Sequence, residues 1–145
     1  MTHTTEERRA KFRALLESND DEALFTQGGC GIFAAVLHLE FGYRLRCIPS
    51  GKRISHIYAH LDGSPEYAVD ATGTKVACDR VRDFDGDCAP FLTLDELWAK
   101  FGLLEEPDRL VGDAWFTIPA ARRACTRIQR YRSYFDGTKK DQIPK

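Results

Sequence analysis

Residues 28–42 read GGCGIFAAVLHLEFG and residues 55–73 read SHIYAHLDGSPEYAVDATG, and these two stretches decide the architecture. From Cys30 to Phe41 only His38 and Glu40 are polar, so apolar side chains point to nearly every side. A helix of that kind is enclosed by protein rather than laid on a surface. Gly42 follows where a helix end favours a left-handed residue. In the second stretch, two runs of strand-forming residues flank Asp62-Gly63-Ser64-Pro65, whose composition suits a hairpin turn. A third strand, residues 43–48, precedes them, so strands at 43–48, 53–61 and 66–71 predict an antiparallel sheet carrying a buried helix. The fold class expected is α+β.

The flanks complete a single domain over residues 1–135. Residues 5–18 predict a first helix, capped by Thr4 or Thr5, with Phe12, Leu15 and Leu16 as a narrow apolar stripe. Residues 19–22, all acidic or Asn, break it and cap a short turn toward Phe25. Thr93 opens a helix over 93–101 with a good cap and Gly102 as its stop. Pro119 suits a first helical position and predicts a last helix over 119–135. Its apolar face is Ala121, Ala124, Cys125, Ile128, Tyr131 and Phe135; Arg122, Arg123, Thr126, Arg127 and Arg130 line the other. Residues 136–145 are expected to be a flexible tail.

Charge is unevenly placed. Residues 1–118 carry 13 Lys/Arg against 20 Asp/Glu, and residues 119–145 carry 8 against 2, so a net charge of −1 conceals an acidic body with a basic arm. The arginines of that arm, Arg122, Arg123, Arg127 and Arg130, suit an acidic partner or the acidic body itself; nucleic acid is a weaker expectation despite the neighbouring tyrosines. No apolar run reaches the roughly 20 residues a membrane span needs, and the polar start MTHTTEERRAKF has no apolar signal stretch. A cytoplasmic protein is expected, with delivery into another cell left open. Cys30, Cys47, Cys78, Cys88 and Cys125 are an odd set with no CxxC pair, which argues against a disulfide framework or a zinc site. The last four read as small packed residues. Asp83-Phe84-Asp85-Gly86-Asp87 lacks the spacing of a calcium loop and reads as a solvated turn, so neither metal nor cofactor is expected.

Cys30 heads the buried helix, where backbone amides and the helix dipole stabilise a thiolate. Gly28 and Gly29 before it leave room for an approaching substrate and let the chain turn sharply; the plain alternative is a helix-entry loop with a packed cysteine. A thiol nucleophile needs a base and a group to orient that base. In the strand over 53–61, His56, Tyr58 and His60 share one side, with Tyr58 set beside the base as a substrate contact. A turn centred on Gly63 places Asp70 directly opposite His56 and Glu66 opposite His60. His56 with Asp70 is the preferred couple, because a pair beside the hairpin tip is solvated. A slip of one residue would turn Asp70 away from His56.

QGGCGIFAAVLHLEFGY (27–43) followed by SHIYAHLDGSPEYAVDATG (55–73) resembles the papain-like superfamily, including its transglutaminase-like and small bacterial branches, in its order of Cys-helix, His-strand and Asp-strand. The resemblance implies a papain-like fold with Cys30 as nucleophile, His56 as base and Asp70 as orienting acid. It implies a thiol hydrolase or acyltransferase acting on an amide, peptide, isopeptide or glutamine side chain of a protein or peptide substrate. Papain-type peptidases carry an oxyanion-hole Gln further upstream, whereas Gln27 stands three residues before Cys30, so Gln27 either donates to the oxyanion with the Cys30 N–H or steadies the loop. The rival expectation is a non-enzymatic interaction module that uses the basic helix.

Overall fold

A computed structural model describes residues 5–27, 29–50, 53–84, 89–100 and 107–144. Three helices come first: α1 (Thr5–Glu17), α2 (Asp21–Thr26) and α3 (Cys30–Phe41). Asp20 caps α2, its carboxylate accepting the N–H of Ala23 at 3.0 Å. The α3 helix has the predicted bounds, and Gly42 closes it at φ 74° with its N–H donating to the carbonyl of His38.

The sheet follows as β1 (Arg44–Ser50), β2 (Arg53–Leu61), β3 (Tyr67–Asp70) and β4 (Gly73–Val76). Then come α4 (Ala77–Asp83), a short β5 (Phe91–Leu92), α5 (Leu94–Lys100) and α6 (Pro107–Arg130). Strand order is β4-β3-β2-β1-β5, every neighbouring pair antiparallel. The α+β class and antiparallel sheet agree with the sequence; β4, α4 and β5 are additions to it.

Burial runs without interruption from His56 to His60, because both faces of β2 are covered. On one side Ala59 and Val69 join Leu24 and Phe25 of α2, Phe33 and Leu37 of α3, and Ala124 and Ile128 of α6. Beside them Ile57, Leu45 and Cys47 pack on Cys30, Ala34 and Leu97. On the other side Tyr58, Ile48 and Ala68 lie under Ala77, Ala89, Val81 and Phe84. Side chains alternate along a strand, so Ile57 and Ala59 meet the helices of the larger layer and Tyr58 meets α4.

Several expectations are corrected. The last helix starts at Pro107, not Pro119: Pro107 takes the first helical position that the sequence reading gave to Pro119, and Pro119 lies inside the helix. The helix ends at Arg130 and a 3-10 turn, Arg132–Tyr134, follows. Its inward residues include Ala120 as well as Ala124 and Ile128, while Cys125 is exposed. Cys47 is buried as expected, Cys78 is exposed, and Cys88 lies outside the described residues with Asp85, Gly86 and Asp87. The proposed cap Thr4 and stop Gly102 also lie outside them, but Thr93 forms the expected capping box with Glu96, the two exchanging bonds of 3.0 and 3.1 Å. Residues 141–143, expected in a flexible tail, lie along the start of β4: Thr74 N–H donates to Asp141 O at 2.9 Å and Ile143 N–H to Thr72 O at 2.8 Å.

Candidate active site

The hairpin register differs from the expectation in an instructive way. Leu61 pairs with Tyr67 and Ala59 with Val69, so the connection spans residues 62–66 and centres on Ser64, not Gly63. Moving the centre by one residue moves every partner by two. An even offset keeps a side chain on its face, so Asp70 remains on the side of His56 but sits diagonally from it rather than directly opposite. His60 pairs with Ala68, not Glu66. Its Nε2 lies 2.9 Å from Asp62 and 3.9 Å from Glu66.

Across the diagonal, His56 Nε2 meets Asp70 Oδ2 at 2.8 Å, with His56 wholly buried and Asp70 3% exposed. Once Nε2 is occupied by Asp70, Nδ1 is the free edge of the ring, and it makes no well-aligned hydrogen bond. The Cys30 thiol nonetheless lies near enough to act on the imidazole. Cys30 is 8% exposed and packs with the residues of the larger helical layer. The β1/β2 register shifts between Ile48 and Pro49, skipping Ser55 on β2 immediately before His56. A bulge of this kind breaks strict alternation and re-aims neighbouring side chains.

Electrostatics follow from this enclosure. Burial disfavours the charged ring, but the hydrogen bond to Asp70 and the influence of the nearby Cys30 and Asp70 outweigh it, and the His56 pKa is raised to about 9. Asp70 is held below the usual carboxylate range: burial opposes ionisation, and His56, Arg80 and Thr72 overcome it. Its Oδ1 accepts the Thr72 N–H at 2.9 Å and the Thr72 hydroxyl at 2.6 Å. Arg80 Nε stands 3.1 Å from Oδ2, within ion-pair distance though not aligned as a hydrogen bond, while Nη2 donates to Thr72 Oγ1 at 2.9 Å. Phe84 lies flat on the His56 ring, with centroids 3.9 Å apart and planes 4° from parallel.

The sequence reading did not single out Arg80, Thr72 or Phe84. The sequence places Phe84 in a solvated turn, yet it is half-buried against the imidazole. A signal was present: Ala77, Arg80, Val81 and Phe84 recur at helical spacing, which places Arg80 within an apolar stripe. Asp70-Ala71-Thr72 also has the form of an Asx turn, in which a carboxylate accepts the N–H two residues on.

The remaining candidates are placed as follows. Gln27 ends α2 with its side chain exposed, three residues ahead of Cys30. Gly28 lies outside the described residues. Gly29 is buried, and a methyl group there would stand 2.8 Å from the Leu24 carbonyl oxygen, so its bareness serves the tight α2–α3 corner. Tyr58 is fully buried among Ile48, Ala68, Ala77 and Ala89. His38 Nδ1 lies 2.6 Å from the carbonyl of Tyr43 at the edge of the core. The N-cap residue of α3 is Gly29, which offers no side-chain cap to its first-turn amides beside Cys30.

No protein-family model, curated protein or solved structure matches the chain. Among the described residues no cluster of His, Cys, Asp and Glu could hold a metal ion, and no helix is long and apolar enough to cross a membrane.

Of the basic helix, Arg123 donates to Asp21 and to the Leu16 carbonyl, and Arg127 to the Ala71 carbonyl at 2.9 Å. Arg122 and Arg130 are exposed.

Proposed function

We propose that this chain is a cysteine-dependent hydrolase or acyl-transfer enzyme of the papain-like kind that residues 27–43 and 55–73 resemble. One observation carries the reading. A buried imidazole is held by a buried carboxylate at 2.8 Å, and a thiol at the head of an interior helix lies near enough to influence it. A structural histidine in an apolar core does not need an ionised partner and a raised pKa, because burial alone would keep it neutral.

In the proposed reaction His56 takes the thiol proton and the Cys30 sulfur attacks a substrate carbonyl. The oxyanion is met by the amides of the first turn of α3, with Gln27 as a further donor. The imidazolium then protonates the departing amine, leaving a thioester on Cys30. Water or an acceptor amine attacks that thioester as His56 removes its proton, releasing the acid or a new amide. Such an enzyme acts on a defined amide, peptide, isopeptide or glutamine side chain, and a reducing compartment such as the cytoplasm keeps its thiol available.

The chain contains its own control. Cys78 and Cys125 are exposed, whereas Cys30 is 8% exposed. With iodoacetamide at neutral pH, followed by peptide mass spectrometry, accessibility alone makes Cys30 the slowest of the three. The proposed activation makes it the fastest, and His56→Ala abolishes that lead. Cys30 labelling no faster than Cys78 and Cys125 would count against the enzyme.

A further inference from the structure

The turn after Asp70 is held by groups from three distant parts of the chain. Arg80 of α4 donates to the Thr72 hydroxyl, Arg127 of α6 donates to the Ala71 carbonyl, and the N–H of Ile143 donates to the Thr72 carbonyl at 2.8 Å. The Gln142 side-chain amide also reaches the Thr72 hydroxyl, at 3.4 Å. Gly73, at φ 113°, permits this approach: a methyl group there would stand 2.7 Å from the Asp141 carbonyl oxygen and 2.9 Å from Gln142 Cα. Both groups through which Thr72 holds Asp70 Oδ1, its N–H and its hydroxyl, belong to the residue so fixed.

We infer that Thr72 is a positioning residue of the site, and that residues 141–143 act through it to set the orientation of Asp70 toward His56. The inference rests on the thiol-enzyme reading above. Asp70 Oδ2 faces both the His56 imidazole, at 2.8 Å, and the Arg80 guanidinium, at 3.1 Å. A carboxylate free to rotate can shift its oxygen from the imidazole to the guanidinium; pinning Oδ1 twice removes that freedom. Fixing the tautomer and tilt of the base is what an orienting acid contributes. The segment 141–143 therefore belongs to the site although it touches neither the sulfur nor the imidazole.

The test uses the full chain with Thr72→Val, which keeps the shape and removes the hydroxyl, Thr72→Ser, which restores the hydroxyl, and Ile143→Pro, which removes the donor to Thr72 O. Two readouts are taken: the iodoacetamide rate of Cys30 relative to Cys78 and Cys125, and the titration midpoint of the His56 ring by NMR. Thr72→Val and Ile143→Pro should each slow Cys30, by up to about a hundred-fold, the loss that a misplacement of about 1 Å can cause. They should also lower the His56 midpoint from about 9 toward 6.5, with Thr72→Ser close to the parent protein. A merely structural role lowers thermal stability and moves neither readout; unchanged readouts in Thr72→Val overturn the inference while Cys30 remains hyper-reactive. An effect of Thr72→Val without one of Ile143→Pro overturns the part assigned to residues 141–143. If Cys30 of the parent protein shows no enhanced reactivity, the enzyme reading fails, and the His56 midpoint alone then decides whether Thr72 positions Asp70.

Discussion

His56 is fully buried and its pKa is raised, so its contribution to stability depends on its titration. Its pKa in the folded chain, about 9, lies above the ordinary 6.5. The stabilisation is therefore fully present below pH 6.5 and is lost as the pH rises through 9. At about 1.4 kcal/mol per unit this amounts to roughly 3 kcal/mol. Urea unfolding at pH 6 and pH 9.5 should show that loss, and His56→Gln should flatten it; equal slopes in the two proteins would mean that the ring is not charged in the fold. Removing the other partner is worse, since Asp70→Asn leaves Arg80, 4% exposed, without its buried counter-charge. A broken buried pair costs about 3–5 kcal/mol, and Arg80→Met added to Asp70→Asn should recover much of it in the same unfolding assay. The couple of His56 and Asp70 was legible because strand parity survives an even error in register. Arg80 was legible only weakly, through the helical spacing of Ala77, Arg80, Val81 and Phe84, because α4 packs on the sheet over barely two turns.

At the level of elements, two glycines bracket α3 for different reasons. Gly42 stands at φ 74° with open space where a side chain would be, so Gly42→Ala costs only the left-handed strain of an L-residue, about 1–2 kcal/mol. Gly29 has an ordinary negative φ of −97°, but its methyl would press on the Leu24 carbonyl, which accepts the Gly29 N–H at 2.9 Å. Gly29→Ala must therefore push α2 away from α3, with an overpacking cost of about 1–3 kcal/mol. Because that corner carries Cys30, Gly29→Ala should also slow Cys30 alkylation, whereas Gly42→Ala, at the other end of the helix, should not. Denaturation midpoints together with labelling rates separate the two. The bounds of α3 were legible from its apolar run, interrupted only at His38 and Glu40, and the glycines that flank it. The four residues of β4 are too few to show a period, α4 shows its helical spacing over barely two turns, and the start of α6 was misplaced because two prolines compete for the same role at a helix entrance.

The charge division along the chain becomes, in the whole molecule, a closure between its two ends. Arg123 binds Asp21 and the Leu16 carbonyl, tying α6 to α1 and α2, and Arg127 reaches both Asp21, at 3.8 Å, and the turn after Asp70. Composition disclosed the acidic body and the basic arm, but not which arginines face inward, because helical phase past Pro119 depends on where α6 begins. Side-chain exposure separates them: Arg123 and Arg127 are 20% and 10% exposed, and Asp21 is 29% exposed. Exposed pairs contribute about 0–1 kcal/mol, and hydrogen bonds to charged groups about 1.5–3. Asp21→Ala leaves two partly enclosed guanidinium groups short of an acceptor, so it should lower stability by about 1–2 kcal/mol. Arg122→Ala and Arg130→Ala, altering exposed positions, should stay within about 0.5 kcal/mol. If Arg122→Ala or Arg130→Ala destabilises as much as Asp21→Ala in urea unfolding, the basic face is a structural surface throughout. If the predicted split is found, the basic charge of Arg122 and Arg130 is available to a partner without loss of stability, whereas that of Arg123 and Arg127 is committed to the fold.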